Sequence, residues 1–429
     1  MMRTLETIVL LLLFIPMSVT SYAEIDSAQA AAYFREARTI ALLDAGKLWG
    51  VSLNGPLMFV DPQTRQIIAN EPDKEGKLEK RGDIFAGILP ESESIANTAV
   101  TWAGVKWTMV VWPLPSDEID RPRLLLHELF HRIQDEIGVP MTNPANAHLE
   151  TMQGRLWLRL ECRALKQALE SKGRSRLQAA SDALLFRRQR RSLFSGAASE
   201  ENSLEMNEGL AEYTGVKLSG GDPAGMSMHR LENLEASDFF ARSFAYATGP
   251  AYGILLDQKS LDWRKQITSS SDFSVQLQKA YGITLADSID RTAAQRALFY
   301  GGKALQLQEG DREEMRRQRL AQYRSKFIDG PRLIIPLQQM QIQFDPSRVE
   351  PLEDLGTIYP VLRVSDNWGI LTVEDGALVS KTWTELCVPA MKDPQSVPVQ
   401  GSGWKLELKE GWTIVPAKRA GDYQLIKKD

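Results

Sequence analysis

The residue pattern of this chain changes twice, first near Asp120 and again at Gly330-Pro331. Before the first change and after the second, short β-rich runs are separated by turn residues, which is typical of strands. Between the two changes the pattern is helical. The sequence therefore predicts an α+β fold, in which a β-rich N-terminal lobe, a mostly helical region and a small C-terminal β domain follow one another.

The length of 429 residues favours two or three domains. We expect a mostly β lobe over residues 24–119 that opens with a helix, a helical region over 120–328 and a β domain over 329–429. The predicted N-terminal strands are Leu48–Leu53, Leu57–Val60, Gln66–Ala69, Ile84–Leu89 and Val105–Trp112. The predicted C-terminal strands include Leu333–Leu337, Ile358–Val364 and Trp404–Leu408.

In the helical region, Asp120 is expected to cap a helix that ends at Gly138. Further helices are predicted over His148–Leu169, Leu177–Phe194, Leu204–Leu218 and Asp311–Lys326. The basic run at residues 187–191 is interpreted as a solvated helix face.

The N-terminal segment, from Met1 to Ala23, has the pattern of a signal peptide. Arg3 precedes an apolar run from Ile8 to Ile15, and Ser21-Tyr22-Ala23 has the small-x-small form of a cleavage site. The run is shorter than the roughly 20 residues that span a bilayer, and an uncleaved anchor is the alternative. The mature chain is therefore expected to be periplasmic or secreted, without stable membrane insertion.

The net charge of −4 shows no basic excess that would favour nucleic acid. Cys162 and Cys387 are too few for a cysteine-type zinc site, and their spacing leaves open whether they pair. The four histidines are His127, His131, His148 and His229. This scarcity makes the two that lie four residues apart informative.

His127-Glu128-Leu129-Phe130-His131 is an HExxH sequence. On a helix, side chains at positions i and i+4 share a face, so both imidazoles can reach one Zn²⁺ ion. Glu128 would then lie beside the metal and could accept a proton from a water molecule there. The alternative is a pair of structural histidines. The motif predicts one Zn²⁺ per chain.

Zinc catalysis usually needs a third protein ligand, and no later histidine follows at close spacing. A carboxylate from another helix is therefore expected. The best candidate is Glu208, and Glu150 and Glu161 are the alternatives. Glu212 shares a helix face with Glu208, whereas no acidic residue lies four positions after Glu150.

Residues 127–131 together with Asn207-Glu208-Gly209-Leu210-Ala211-Glu212-Tyr213 resemble the gluzincins, the zinc peptidases that include thermolysin and the aminopeptidase N group. The resemblance covers about residues 120–260 and implies a zincin-like catalytic region. It implies that Glu208 is the third metal ligand and that Glu212 orients a zinc-binding histidine. Gly209 is expected to let two helices approach closely.

The chain departs from the aminopeptidase group in two places. The interval between His131 and Glu208 is several times longer than in that group, which implies an insertion of two helices. The GxMEN strand that holds a free amino terminus is missing, and the corresponding edge strand would be residues 104–109.

Phe244-Ala245-Tyr246-Ala247-Thr248-Gly249 resembles the Tyr-x-x-Gly stretch of the same group. The resemblance implies that Tyr246 hydrogen-bonds a developing oxyanion. The alternatives for this donor are Tyr213, Tyr252 and His229, and Tyr246 could instead be an ordinary half-buried helix residue.

These features predict an exported zinc metallopeptidase whose substrate is a peptide or protein. The alternative is a catalytically inactive or non-peptidase zincin-like protein of the cell envelope that binds a partner through its β domains. The intact Glu128 argues against that alternative, because a retired site has no need of a base.

Overall fold

The computed structural model describes residues 25–237, 239–285, 289–344, 349–352, 354–391 and 393–428. The predicted signal peptide and its cleavage site lie outside these residues. The described part contains eleven α-helices and three β-sheets, with the sheets in its N- and C-terminal regions. The predicted α+β class is therefore confirmed.

The N-terminal region packs helix α1 (Ser27–Asp44), capped by the side chain of Asp26, against a six-stranded sheet. Its strands are β1 (Leu57–Val60), β2 (Gln66–Ala69), β3 (Glu79–Arg81), β4 (Ile84–Ile88), β5 (Thr98–Trp102) and β6 (Val105–Val111). The order is β3-β4-β2-β1-β6-β5, and only the β1–β6 pair is parallel.

Two sequence predictions about this region are wrong. Leu48–Leu53 is not a strand, because the chain there turns through Gly46 and Gly50, whose φ angles are +74° and +78°. The edge strand is β5, whereas residues 104–109 belong largely to β6, one strand further in. The edge strand therefore lies earlier in the chain than predicted.

The helical region follows. Its helices are α2 (Asp120–Ile133), α3 (Met152–Glu170), α4 (Gly173–Leu193), α5 (Ala197–Leu204), α6 (Leu210–Leu218), α7 (Pro223–Glu235), α8 (Ser243–Asp257), α9 (Phe273–Tyr281), α10 (Ile289–Ala297) and α11 (Gly302–Arg324). Short 3₁₀ segments cover Ala147–Glu150, Leu261–Gln266 and Leu298–Tyr300, and π-helical turns cover Glu205–Gly209 and Ser325–Asp329. The predicted helices are confirmed, with shifted ends.

Both ends of α2 differ from prediction. Asp120 is the first helical residue and not the cap, because the side chain of Asp117 accepts hydrogen bonds from the backbone N–H groups of Ile119 and Asp120. The helix ends at Ile133, and turns carry the chain on to Gly138. Gly138, whose φ is +75°, therefore ends these turns and not the helix itself.

The basic run at 187–191 was predicted to be solvated, and for the most part it is buried. Arg187 and Arg190 are 1% and 0% exposed, whereas Arg188 faces solvent. Cys162 of α3 is buried near them, and it and Cys387 are both free thiols.

The two buried arginines are paired with buried glutamates in what we call the arginine cluster: Glu161, Arg187, Arg190, Glu201 and Glu205. Arg187 bridges Glu161 at 2.7 Å and Glu205 at 2.6 Å. Arg190 bridges Glu161 at 2.5 Å and Glu201 at 2.7 Å. Burial disfavours an ionised Glu161, but the two guanidinium groups outweigh it and lower its pKa. The cluster ties α3 and α4 to the helical segment after α4.

The C-terminal region consists of two sheets with a shared apolar core around Trp368. Its strands are β7 (Arg332–Pro336), β8 (Gln341–Phe344), β9 (Glu350–Leu352), β10 (Gly356–Tyr359), β11 (Leu362–Asp366), β12 (Gly369–Val373), β13 (Ala377–Val379), β14 (Glu385–Pro389), β15 (Val399–Gly401), β16 (Trp404–Leu408), β17 (Trp412–Pro416) and β18 (Tyr423–Lys427). The sheet orders are β17-β18-β7-β14-β13-β10-β9 and β15-β16-β12-β11-β8. Arg319 of α11 pairs with the buried Glu350 at 2.7 Å. No helix among the described residues has both the length and the apolar character needed to cross a membrane.

Candidate metal centre

The structure brings the two histidines of α2 together with Glu208, and we call these three residues the ligand cluster. The Nε2 atoms of His127 and His131 lie 3.1 Å apart. Glu208 Oε2 lies 3.4 Å from the first and 3.6 Å from the second. All three side chains are buried. One atom from each residue therefore converges on a single point.

A π-helical turn carries Glu208 to this point. The backbone N–H of Leu210 donates to the carbonyl of Glu205, five residues earlier, so the helix widens between α5 and α6. Such turns are frequent at functional sites, because they change which face a side chain takes. Here Glu205 faces the arginine cluster while Glu208 faces α2.

Three glycines let the helices around the ligand cluster approach closely. A Cβ on Gly215 of α6 would lie 2.5 Å from the carbonyl oxygen of Arg123 in α2. A Cβ on Gly249 of α8 would lie 2.3 Å from the Cα of Gly209. Gly209 therefore allows α8 to pack closely, and Gly215 contacts α2, the helix that carries both histidines.

Glu212, predicted to orient a histidine, contacts the inner nitrogen of His127. The Nδ1–H of His127 donates to Glu212 Oε2 at 2.9 Å. Arg123 and Arg230 hold the other carboxylate oxygen at 2.8 and 3.0 Å. Burial disfavours the ionised Glu212, but these partners outweigh it and lower its pKa to about 2. Glu212 is therefore a fixed anionic acceptor.

Gln134 performs the same task for His131, and the sequence interpretation missed it. The Nδ1 of His131 lies 2.5 Å from Gln134 Oε1. Gln134 Nε2 donates to Asn207 Oδ1 at 3.2 Å, and Asn207 Nδ2 donates to the carbonyl of Thr142 at 2.6 Å. A carbonyl only accepts, so this chain of amides fixes Gln134 Oε1 as an acceptor and the His131 Nδ1 as a donor. The available signal was its position three residues after His131.

The cluster fits a cation. With Nδ1 of both rings donating outward, both Nε2 atoms present lone pairs to each other and to Glu208 Oε2. Three acceptors so close repel one another unless a positive charge lies between them. Two imidazole nitrogens and one carboxylate oxygen are a donor set that Zn²⁺ prefers.

A proton can take the place of the cation when no metal is bound. Burial disfavours the imidazolium form of His127, but hydrogen bonds to Glu208 and Glu212 outweigh it and raise its pKa to about 10. For Glu208, the same histidines and Arg242 outweigh burial and lower the pKa. The site therefore attracts positive charge strongly.

Glu128 lies beside the ligand cluster, with Oε1 4.0 Å from His127 Nε2. Its Oε2 is buried and has no hydrogen-bond partner among the described residues. Burial, assisted by Glu208 and Glu212, raises its pKa, although the two histidines act in the opposite direction. A carboxylate with an unpaired buried oxygen and a raised pKa is suited to accept a proton.

Tyr246 lies within the same group. Its ring stacks on His127 with centroids 5.5 Å apart, and its O–H donates to Glu208 Oε2 at 2.5 Å. Arg242, one helical turn earlier, donates to Glu208 Oε1 at 2.6 Å. The alternatives are elsewhere: Tyr213 bonds Asp257, Tyr252 bonds Glu161, and His229 is largely exposed.

The alternative third ligands are also engaged elsewhere. Glu150 Oε1 accepts the backbone N–H groups of Phe240 and Ala241 at 2.6 and 2.8 Å. Glu161 belongs to the arginine cluster. His148 pairs with Glu201 at 2.8 Å, which links it to that cluster as well.

The ligand cluster opens into a cleft of about 700 Å³. One part of its wall comes from Asn97 and Thr98 at the start of edge strand β5. Another comes from Met141, Thr142 and Asn143 in the loop after α2. The centre is thus accessible to a ligand larger than water.

No family model, curated protein or solved structure matches this chain. The candidate centre is therefore defined by its own geometry, in which two imidazoles, a carboxylate and an adjacent unpaired carboxylate meet at the floor of a cleft.

Proposed function

We propose that the protein is an exported zinc metallopeptidase of the gluzincin type. The observation that carries the proposal is the convergence of His127 Nε2, His131 Nε2 and Glu208 Oε2 within 4.8 Å of one another. Export rests on the sequence pattern of the segment that ends at Ala23 alone. A peptide is proposed as the substrate because Glu128 and Tyr246 supply the base and the O–H donor that amide hydrolysis needs.

In this proposal the ligand cluster holds one Zn²⁺. Such an ion would supply Lewis acidity and would lower the pKa of a water molecule bound to it towards about 7. Glu128 accepts a proton on its unpaired Oε2 and returns it to the leaving amine. The Tyr246 O–H is available to stabilise a developing oxyanion once it leaves Glu208 Oε2.

The orientation of the two histidines supports the same chemistry. Glu212 and Gln134 hold Nδ1 of each ring as a donor, which leaves Nε2 of each ring free to bind metal. Arg242 holds the outer oxygen of Glu208 and leaves Oε2 directed at the histidines.

Glu128→Gln tests the proposal. The variant should retain about one Zn²⁺ per chain and lose hydrolysis of a mixture of unstructured peptides by about 10²–10⁴-fold, because an amide cannot accept the proton. The measurements are metal analysis and appearance of new amino termini. Glu118→Gln, at an exposed position before α2, is the matched control. Wild-type turnover in Glu128→Gln would contradict the mechanism.

A further inference from the structure

Three arginines line the cleft together with the ligand cluster: Arg123 of α2, Arg230 of α7 and Arg242. Arg242 is engaged by Glu208 Oε1 at 2.6 Å and by Asn143. Its position is therefore explained by the metal centre, and Arg123 and Arg230 call for a separate account.

Arg123 and Arg230 share one oxygen. Arg123 Nη1 lies 2.8 Å and Arg230 Nε lies 3.0 Å from Glu212 Oε1. In the described part of the chain, the two terminal nitrogens of Arg230 form no hydrogen bond. That side chain is 27% exposed, and it lines the cleft. The two terminal nitrogens of Arg230 are thus available to a ligand.

The positive charge at Arg230 is only partly compensated. Burial lowers its pKa, Glu212 acts in the opposite direction, and the neighbouring Arg123 lowers it further. Arg123 is also paired with Asp120 at 3.1 Å. Arg230 contacts Glu212 through its Nε atom, so among the described residues the outer end of the Arg230 guanidinium group remains without a carboxylate partner. An anionic ligand would stabilise this arrangement.

The charge of the whole cleft points the same way. Its three arginines are matched by three carboxylates, Glu128, Glu208 and Glu212. Asp120, paired with Arg123, adds a fourth negative charge, so a bound divalent cation would leave the cleft with one excess positive charge. In a concave, partly desolvated site such an excess selects anions strongly.

We infer that the cleft selects substrates that carry a carboxylate, and that Arg230 binds it. The inference rests on the proposed peptidase function and names its substrate class. Guanidinium and carboxylate match as planar groups that form two parallel hydrogen bonds. The carboxylate is either the carboxyl terminus of a peptide or an Asp or Glu side chain near the bond to be cleaved.

Three N-acetylated peptides of one length test this. The first has a free carboxyl terminus, the second has a terminal amide, and the third has the amide and one Gln replaced by Glu. Their Kd values are measured by calorimetry with the Glu128→Gln protein, with and without zinc. At least one acidic peptide should bind about 10–100-fold more tightly than the neutral one, because a charged hydrogen bond is gained. Which acidic peptide gains identifies the source of the carboxylate.

Arg230→Gln in the same background should remove this preference, and Arg230→Lys should keep part of it. Arg188→Gln, an exposed arginine of α4, is the matched control and should keep all of it. Equal binding of all three peptides would overturn the inference and leave the proposed hydrolysis standing. A preference that survives in Arg230→Gln would also overturn it. Full hydrolysis by Glu128→Gln would instead overturn the proposed function, whereas the binding preference would still be measured.

Discussion

The ligand cluster and the arginine cluster are both buried groups of charged side chains, and they solve the problem of burial differently. In the arginine cluster, Glu161 has a guanidinium nitrogen within 2.7 Å of each oxygen. In the ligand cluster, three acceptor atoms face each other at 3.1 to 3.6 Å. The first is complete with the protein's own charges once Arg191, which pairs with Glu201 at 2.7 Å, is counted, whereas the second needs a proton or a metal ion from outside. Buried charged groups alone therefore do not indicate a functional site, whereas a set of buried acceptors without a matching positive charge does.

The largest effect is expected from a substitution that breaks the arginine cluster. Arg190→Met should lower the free energy of unfolding by about 3–5 kcal/mol, because Glu161 and Glu201 lose their shared cation while buried. In the presence of a chelator, His131→Ala should lower the free energy of unfolding by less than this. Urea unfolding of both variants measures the difference.

Arg188→Met is the control for the arginine cluster, since this exposed residue lies on the same helix. Its free energy of unfolding should change by no more than about 0.5 kcal/mol. Equal destabilisation by Arg190→Met and Arg188→Met would mean that the buried pairs contribute nothing specific.

The next effect concerns the metal. Glu208→Gln should lose zinc during dialysis against a mild chelator, because one of three ligand atoms is weakened. Glu150→Gln should retain it, since Glu150 binds the backbone at Phe240 and Ala241 and keeps an acceptor oxygen as Gln. Metal analysis decides between them. Zinc lost only from Glu150→Gln would transfer the third ligand to that residue.

A smaller effect is expected where the protein only orients the ligands. Gln134→Ala and Glu212→Ala should each weaken zinc binding by about 10–100-fold, because one ring loses its fixed Nδ1 acceptor. Competition with a chelator of known affinity gives the constants. Gln167→Ala, at an exposed position on α3, should leave them unchanged. Unaltered affinity in Gln134→Ala would show that its contact with His131 has no such role.

The next effect is on pH dependence. In the metal-free protein the pKa of His127 is raised to about 10, so zinc must displace a proton at neutral pH. The apparent zinc affinity should therefore rise by about tenfold per pH unit from pH 7 to 9. An isolated histidine would level off above its usual pKa of about 6.5. A flat profile above pH 7 would mean that the cluster holds no such proton.

The same linkage applies to folding without metal. The raised pKa of His127 contributes stability that is fully present below about pH 6.5 and is lost as the pH rises towards 10. Metal-free wild-type protein should thus be less stable at pH 9 than at pH 7, and a His127→Gln variant should lack this part of the change. Urea unfolding at the two pH values measures it.

The sequence predicted the ligand cluster better than its surroundings. His127 and His131 are four residues apart on one helix, so local periodicity was sufficient to pair them. The choice of Glu208 needed Glu212 on the same helix face and the resemblance to a family, because three helices, and not the predicted two, separate it from His131. Gln134 was missed, since its position three residues after His131 was the available signal and a lone glutamine there matches no established motif.

The arginine cluster was predicted wrongly for a physical reason. A run of basic residues indicates a solvated face when only neighbours along the chain are considered. Glu161, the partner of both Arg187 and Arg190, lies 26 and 29 residues earlier on another helix. Only the packing of α3 against α4 brings them together. The prediction of a strand at Leu48–Leu53 was wrong for a similar reason. Gly46 and Gly50 turn the chain there, regardless of how apolar the segment is.

The π-helical turn at Glu205–Gly209 makes the length of this segment as important as its composition. In a regular α-helix, residues three and seven apart lie close to the same face, so Glu205, Glu208 and Glu212 would share it. The wide turn takes up one extra residue, so the same residues wound as a regular helix would rotate everything after the turn by about 100°. Glu212 would then turn away from His127, although no apolar contact had been deleted. Insertions and deletions should therefore be tolerated in the loop after α2 sooner than in this turn.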